Sequence, residues 1–69
     1  MENFIVIEKT ETTLRLDPKG GVDEKRCFNE VKSMLEQYKW IEFTFNGRKI
    51  HLTKDNYSEM FEQECVYYV

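Results

Sequence analysis

Two cysteines and one histidine are the side chains in this 69-residue sequence with the clearest potential for nucleophilic catalysis. Such catalysis needs a thiol held beside an imidazole, which accepts the proton and leaves a reactive thiolate. Cys27 and Cys65 instead fall in step with apolar residues at helical spacing, whereas His51 alternates onto the polar side of a strand pattern. The sequence therefore predicts two buried, inert thiols and no catalytic site.

Metal and phosphate chemistry are also disfavoured by the spacing of the candidate residues. One histidine and two distant cysteines lack the paired spacing of zinc ligands, and the carboxylates match neither a zinc-protease helix nor a calcium loop. The segment Asp17-Pro18-Lys19-Gly20-Gly21 lacks the spacing and the Gly-Lys-Ser/Thr ending of a phosphate-binding loop, which makes a turn the simpler interpretation. We expect no metal, no cofactor and no enzymatic activity.

An aromatic and basic group on one predicted strand pair is a candidate nucleic-acid surface. Trp40, Lys49 and His51 alternate onto the same face, where rings can stack on bases and cations can meet phosphates. The chain as a whole is acidic, with a net charge of −3 and a pI near 5.1, so its field opposes a polyanion. Direct nucleic-acid binding is therefore the second hypothesis.

The acidity is concentrated at one end of the chain. Residues 1–54 contain all ten Lys and Arg and nine of the thirteen acids, whereas residues 55–69 contain four acids and no base. Aromatic residues lie beside these acids, a combination suited to a contact surface for a basic partner. We predict partner binding by Asp55, Glu59, Glu62, Glu64, Tyr67 and Tyr68.

The same C-terminal residues have a simpler interpretation. The aromatic side chains could belong to the core, and the carboxylates could cover a solvated helix face. The core interpretation is favoured for Met60 and Phe61. For Tyr67 and Tyr68, which exceed what so small a core can absorb, both interpretations stay open.

Two hairpins and a helix must position these residues. Alternating aliphatic residues on both sides of a polar turn predict a first hairpin that pairs Ile7 with Leu14 and Ile5 with Leu16. The strongest local signal is Asn46-Gly47 between two strand-like runs, which predicts a type I′ turn and the pairs Phe43–Ile50, Ile41–Leu52 and Glu42–His51.

Apolar spacing of three and four residues predicts the helices. The first is expected over about 23–38, with Asp23 as its N-cap, and the second is expected to begin with Thr53 as its N-cap. Residues 65–69 are rich in β-forming types and are equally compatible with a helix or an extended tail. The order ββαββα predicts a single α+β domain over residues 1–69, with a four-stranded antiparallel sheet and both helices on its apolar face.

The composition and the absence of targeting motifs predict a folded cytoplasmic chain. A content of 41% hydrophobic and 33% charged residues is typical of a folded globular chain. We expect a cytoplasmic protein, because the sequence shows no signal peptide, membrane span or lipidation motif and only two cysteines.

The favoured function is an inhibitor that occupies a basic, nucleic-acid-binding surface of a larger complex, a role that would suit a phage or mobile-element product. Besides direct nucleic-acid binding, a third hypothesis is a subunit that oligomerises through an exposed strand edge.

Overall fold

The structure, a computed structural model, describes residues 1–67. Its elements follow the predicted order, so the α+β class with two hairpins and two helices is confirmed. In chain order they are β1 (Phe4–Lys9), β2 (Thr13–Pro18), α1 (Glu24–Met34), β3 (Trp40–Phe45), β4 (Arg48–Leu52), α2 (Tyr57–Phe61) and a π-helical segment (Glu62–Tyr67).

The four strands form one mixed sheet in the order β1-β2-β3-β4. The two outer pairs are antiparallel, but the central strands β2 and β3 are parallel, so the expectation of a purely antiparallel sheet is wrong. The connection explains the difference, because the chain leaves β2, passes through α1 and returns to the same end of the sheet. Adjacent strands joined in this way run in the same direction.

One face of the sheet is covered, and Phe28 of α1 lies at the centre of the core. Its side chain is fully buried, and its ring centroid lies 5.8 Å from those of Phe43, Tyr57 and Phe61. Both helices therefore pack on this face, as predicted. The buried residues are Phe4, Leu14, Leu16, Cys27, Phe28, Val31, Leu35, Ile41, Phe43, Ile50, Leu52 and Cys65.

Helix α1 begins where the sequence predicts and ends earlier. The Asp23 side chain accepts a hydrogen bond from the Arg26 N–H at 2.8 Å, which confirms the predicted N-cap. The helix ends at Met34 instead of residue 38, because residues 35–37 form a turn in which the Gln37 N–H donates to the Met34 carbonyl. The turn directs the chain back to the sheet, where the Lys39 N–H donates to the Thr12 carbonyl.

The β3–β4 hairpin has the predicted register and turn. Phe43 pairs with Ile50, and Glu42 pairs with His51. The turn residues Asn46 and Gly47 have φ angles of 51° and 78°, as a type I′ turn requires.

Replacing Gly47 by valine is expected to lower the free energy of unfolding by about 1–2 kcal/mol, the cost of left-handed backbone for a residue with a Cβ. A Cβ at Gly47 would meet no heavy atom within 4 Å, so the loss comes from the backbone alone. Gly20→Val is the matched control, because Gly20 has equal space and no positive φ. Equal urea midpoints for the two variants would contradict the role assigned to the turn.

The β1–β2 register differs from the prediction. The predicted pairs Ile7–Leu14 and Ile5–Leu16 are wrong, because Leu14 pairs with Lys9 and Leu16 pairs with Val6. Thr10 moves the turn away from its predicted position, because its Oγ1 accepts hydrogen bonds from the backbone N–H groups of Thr12 and Thr13.

The register then shifts between Val6 and Glu8, and this shift changes which β1 side chains face the core. As a result Phe4 enters the core, whereas Ile5 and Ile7 are exposed.

Candidate interaction surfaces

The C-terminal acidic segment starts from a reciprocal cap after β4. The Thr53 Oγ1 accepts a hydrogen bond from the Asn56 N–H at 3.1 Å, and the Asn56 Oδ1 accepts one from the Thr53 N–H at 2.7 Å. This is the arrangement of a capping box, with asparagine in the place of the usual glutamate or glutamine. These two hydrogen bonds close the turn of residues 54–56, and helix α2 begins after it at Tyr57 with Asn56 as its N-cap. The predicted N-cap, Thr53, is therefore three residues too early.

Three of the four predicted acids form an exposed surface. Asp55 lies in the turn before α2, Glu59 lies in α2 and Glu62 begins the π-helical segment, and all three side chains are exposed. No lysine or arginine follows Lys54 in the chain. We call Asp55, Glu59 and Glu62 the acidic surface.

The fourth predicted acid, Glu64, takes part in an ion pair inside the fold. Its Oε1 accepts hydrogen bonds from the Nε and Nη2 of Arg48 at 2.9 and 2.6 Å, and its side chain is 11% exposed. The Arg48 Nη2 also donates to the Oε2 of Glu24 at 3.4 Å. This arrangement, which we call the Arg48 cluster, joins the start of α1, the start of β4 and the π-helical segment.

The pKa of the Glu24 carboxyl group is shifted within the Arg48 cluster. Burial raises the pKa of Glu24 to about 7, and the neighbouring Glu64 carboxylate acts in the same direction, against the opposing effect of Arg48. Sequence reasoning did not identify this cluster, because its three members are far apart in the chain.

The aromatic residues beside the acidic surface divide into two groups. Tyr57, Met60 and Phe61 pack against the core, which confirms the core interpretation for Met60 and Phe61, and the Tyr57 hydroxyl donates to the Phe28 carbonyl at 2.9 Å. Tyr68 and the side chain of Tyr67 lie outside the described residues, so their role in binding stays a prediction. For residues 65–67 the structure has helical backbone and no extended strand.

A shallow groove runs between α1 and α2 beside the acidic surface. It has a volume of about 300 Å³ and includes Lys32, Tyr57, Phe61 and Glu62 in its lining. The Lys32 Nζ lies 5.8 Å from the centroid of the Tyr57 ring. Apolar area therefore adjoins the exposed carboxylates.

The second candidate surface is the uncovered face of the sheet, where Glu42 is the central group. Its Oε2 lies 2.8 Å from the His51 Nδ1, and its Oε1 lies 3.2 Å from the Arg15 Nε and 3.8 Å from the Lys49 Nζ. Burial acts to raise the pKa of Glu42, but the His51 hydrogen bond and the two cations outweigh it, so the pKa is lowered. The carboxylate thus offsets part of the positive charge on this face.

Trp40 lies on the same face, and its ring has His51 and Arg15 as neighbours. The His51 ring centroid lies 5.1 Å from the Trp40 ring, and the Arg15 guanidinium lies 5.6 Å from its centroid. The predicted grouping of Trp40, Lys49 and His51 is therefore present. The sequence did not indicate that Arg15 contacts Trp40, because that contact depends on the parallel pairing of β2 with β3.

The cysteines lie on the opposite side of the sheet from His51. Both are buried, and burial, followed by nearby carboxylates such as Glu24, raises the pKa of each thiol to about 11. Their thiolate fractions at neutral pH are accordingly small. Within residues 1–67, no three His, Cys, Asp or Glu side chains group closely enough to hold a metal ion.

Comparison of the chain with protein-family models, curated proteins and solved structures finds no match. Among the described residues, none of the helices has the length and apolar character needed to cross a membrane.

Proposed function

We propose that the protein is a non-enzymatic binding module that occupies a basic, nucleic-acid-binding surface of a larger macromolecule and so competes with DNA or RNA. The observation that carries the proposal is the acidic surface, in which Asp55, Glu59 and Glu62 are all exposed on a segment without basic residues. Such an inhibitor would suit a cytoplasmic product of a phage or mobile element.

Two properties of this surface favour a protein partner. Exposed carboxylates steer the approach to a basic patch. The adjoining groove supplies aromatic area at Tyr57 and Phe61, which carboxylates alone lack. Glu64 has no direct role in this proposal, because Arg48 engages it within the fold.

The double variant Glu59→Lys/Glu62→Lys is expected to lose most of its partner binding while remaining folded. Exposed charge changes of this kind alter the free energy of unfolding by about 0.5 kcal/mol or less. The matched control is Glu2→Lys/Glu11→Lys, which makes the same change in net charge at two other exposed positions. The measurement is affinity capture from the source cell, followed by the binding affinity of each variant for the purified captured protein at low and high salt.

The proposal requires that the captured protein binds nucleic acid, that wild type displaces the nucleic acid, and that only the Glu59/Glu62 variant loses this ability. Added salt should weaken the wild-type complex, because exposed charges are screened beyond about 8 Å at physiological ionic strength. Equal affinity of wild type and the Glu59/Glu62 variant at both salt concentrations would overturn it.

A second candidate function, direct nucleic-acid binding, is favoured by the grouping of Trp40, Lys49, His51 and Arg15 on the uncovered sheet face. Its test is an electrophoretic shift of mixed DNA and RNA oligonucleotides by the wild-type protein and by Trp40→Ala. A shift that Trp40→Ala abolishes would support this function. Absence of any shift by wild type at low salt would exclude it.

A further inference from the structure

The π-helical segment, Glu62–Tyr67, has a limited attachment to the core. Among the buried core residues of the described chain, Cys65 alone belongs to this segment. Its other described side chains are exposed, apart from Glu64, which pairs with Arg48. The Arg48 cluster is therefore a main attachment of the segment to the sheet and to α1.

The Arg48 cluster places two carboxyl groups on one nitrogen atom. Glu24 Oε2 and Glu64 Oε1 lie 3.4 and 2.6 Å from the same Arg48 Nη2, and both carboxyl side chains are largely buried. In the described part of the chain, no other lysine, arginine or histidine lies within 4 Å of either carboxyl group. With both groups ionised, the cluster would have more negative than positive charge in a site with little water, which is costly.

One proton removes this excess charge. A protonated Glu24 carboxyl group donates a hydrogen bond to Glu64 through one oxygen, while its other oxygen accepts from Arg48. Burial, and then the neighbouring Glu64, raise the pKa of Glu24 to about 7 against the opposing effect of Arg48. The cluster therefore keeps this proton in mildly acidic solution and loses it as the pH rises through about 7.

The other ionisable groups near Glu24 do not replace this proton. Among the described residues, the ionisable groups around Glu24 are Arg48 of β4, Glu64 and Cys65 of the π-helical segment, and Asp23, Lys25 and Cys27 at the start of α1. Burial raises the pKa of both thiols to about 11, so neither releases a proton near neutral pH. Asp23 and Lys25 are exposed to solvent.

We propose that a proton shared by Glu24 and Glu64 fastens the π-helical segment to α1, and that loss of this proton as the pH rises lets the segment open locally while the sheet stays folded. Opening returns Glu24 to water, where its carboxyl group releases the proton more readily, so a rise in pH favours the open form. The sheet and α1 retain their own core without the segment, because Cys65 is its one buried residue among those described. The proposal does not depend on the proposed partner.

The test is native-state hydrogen exchange of the full chain, measured at the Cys65 and Val66 amides between pH 5 and pH 8 and at low urea concentrations. After correction for the intrinsic pH dependence of exchange, the opening equilibrium constant at these amides should rise at least about tenfold over this range. At pH 8 their opening free energy should lie below that of the Phe43 and Ile50 amides and should change little with urea, because a local opening exposes little surface.

Glu24→Gln separates the proton from the other contacts of the cluster. The glutamine amide donates to Glu64 and accepts from Arg48 at every pH, as the protonated carboxyl group does. The opening constant of this variant at the Cys65 and Val66 amides should therefore stay low from pH 5 to pH 8. Glu11→Gln is the matched control, because it makes the same change in net charge at an exposed position and should respond to pH like wild type.

The proposal would be overturned by an opening constant at Cys65 and Val66 that does not change with pH in wild type, or by a wild-type pH response in Glu24→Gln. Exchange at the intrinsic rate at both pH values would show that nothing fastens the segment. An opening free energy and urea dependence equal to those of Phe43 and Ile50 would show that the segment opens only when the whole domain unfolds, which would also overturn it.

Discussion

Replacing Phe28 by alanine is expected to lower the free energy of unfolding by about 3–5 kcal/mol, the usual cost of removing a buried aromatic ring. The Phe28 side chain is fully buried, and its ring contacts β3 at Phe43 and α2 at Tyr57 and Phe61. The cavity would therefore open where the sheet and both helices meet. A domain of this size has a total stability of only about 5 kcal/mol, so the variant should keep about 0–2 kcal/mol and be roughly 3–50% unfolded at 25 °C.

The measurement is urea unfolding of wild type, Phe28→Ala and Phe28→Leu, followed by circular dichroism. The leucine variant keeps part of the volume and should fall between the other two, which keeps the prediction measurable even where the alanine variant does not fold. Phe45→Ala is the control, because Phe45 is only half-buried at the end of its strand. A loss at Phe28 no larger than at Phe45 would contradict the central position assigned to Phe28.

Replacing Arg48 by methionine is expected to lower the free energy of unfolding by about 2–3 kcal/mol at pH 8. Methionine keeps much of the side-chain volume but leaves the Glu24 and Glu64 carboxylates, 14% and 11% exposed, without their shared cation. Breaking a fully buried ion pair from one side costs about 3–5 kcal/mol, and the value is lower here because Arg48 itself is 29% exposed.

The pH dependence of stability gives this prediction a second readout. The pKa of Glu24 is raised from 4.5 to about 7 in the folded protein, so the folded state binds the proton more tightly than the unfolded chain. The stabilisation from this group is complete below pH 4.5 and is lost as the pH rises through about 7.

The deficit of Arg48→Met should therefore shrink on acidification toward pH 5. At pH 8, Glu24→Gln added to Arg48→Met should restore part of the stability, because it removes one of the two uncompensated charges. A deficit that does not change with pH, or that Glu24→Gln does not reduce, would show that Arg48 acts mainly through packing.

Elements specified by neighbouring residues were predictable from the sequence. Asn46-Gly47 determines a two-residue turn, and that turn sets the register of β3 and β4 without help from the rest of the chain. The start of α1 was equally local, because Asp23 caps a backbone N–H three residues away. The grouping of Trp40, Lys49 and His51 follows directly from the hairpin.

Features that depend on distant residues were not predictable. The register of β1 depends on the Thr10 side chain and on the irregularity between Val6 and Glu8, and neither leaves a distinct pattern in the sequence. Glu64 has the same sequence context as the exposed acids, and only the position of Arg48 distinguishes it. The sequence thus predicted the three exposed acids of the acidic surface, but it wrongly grouped Glu64, which pairs with Arg48, with them.

The parallel pairing of β2 with β3 also determines when the sheet can be completed during folding. Each hairpin joins strands that are neighbours in the chain, whereas the central pair closes a segment of residues 19–39 that includes all of α1. Contacts across long segments form late, because the entropy of closing the segment is lost before the contacts stabilise it. During synthesis on a ribosome, the hairpin of β1 and β2 therefore emerges with both of its edges unpaired. Residues 40–45 must be made before β2 becomes an interior strand, and until then a nascent chain offers two edges on which it can aggregate.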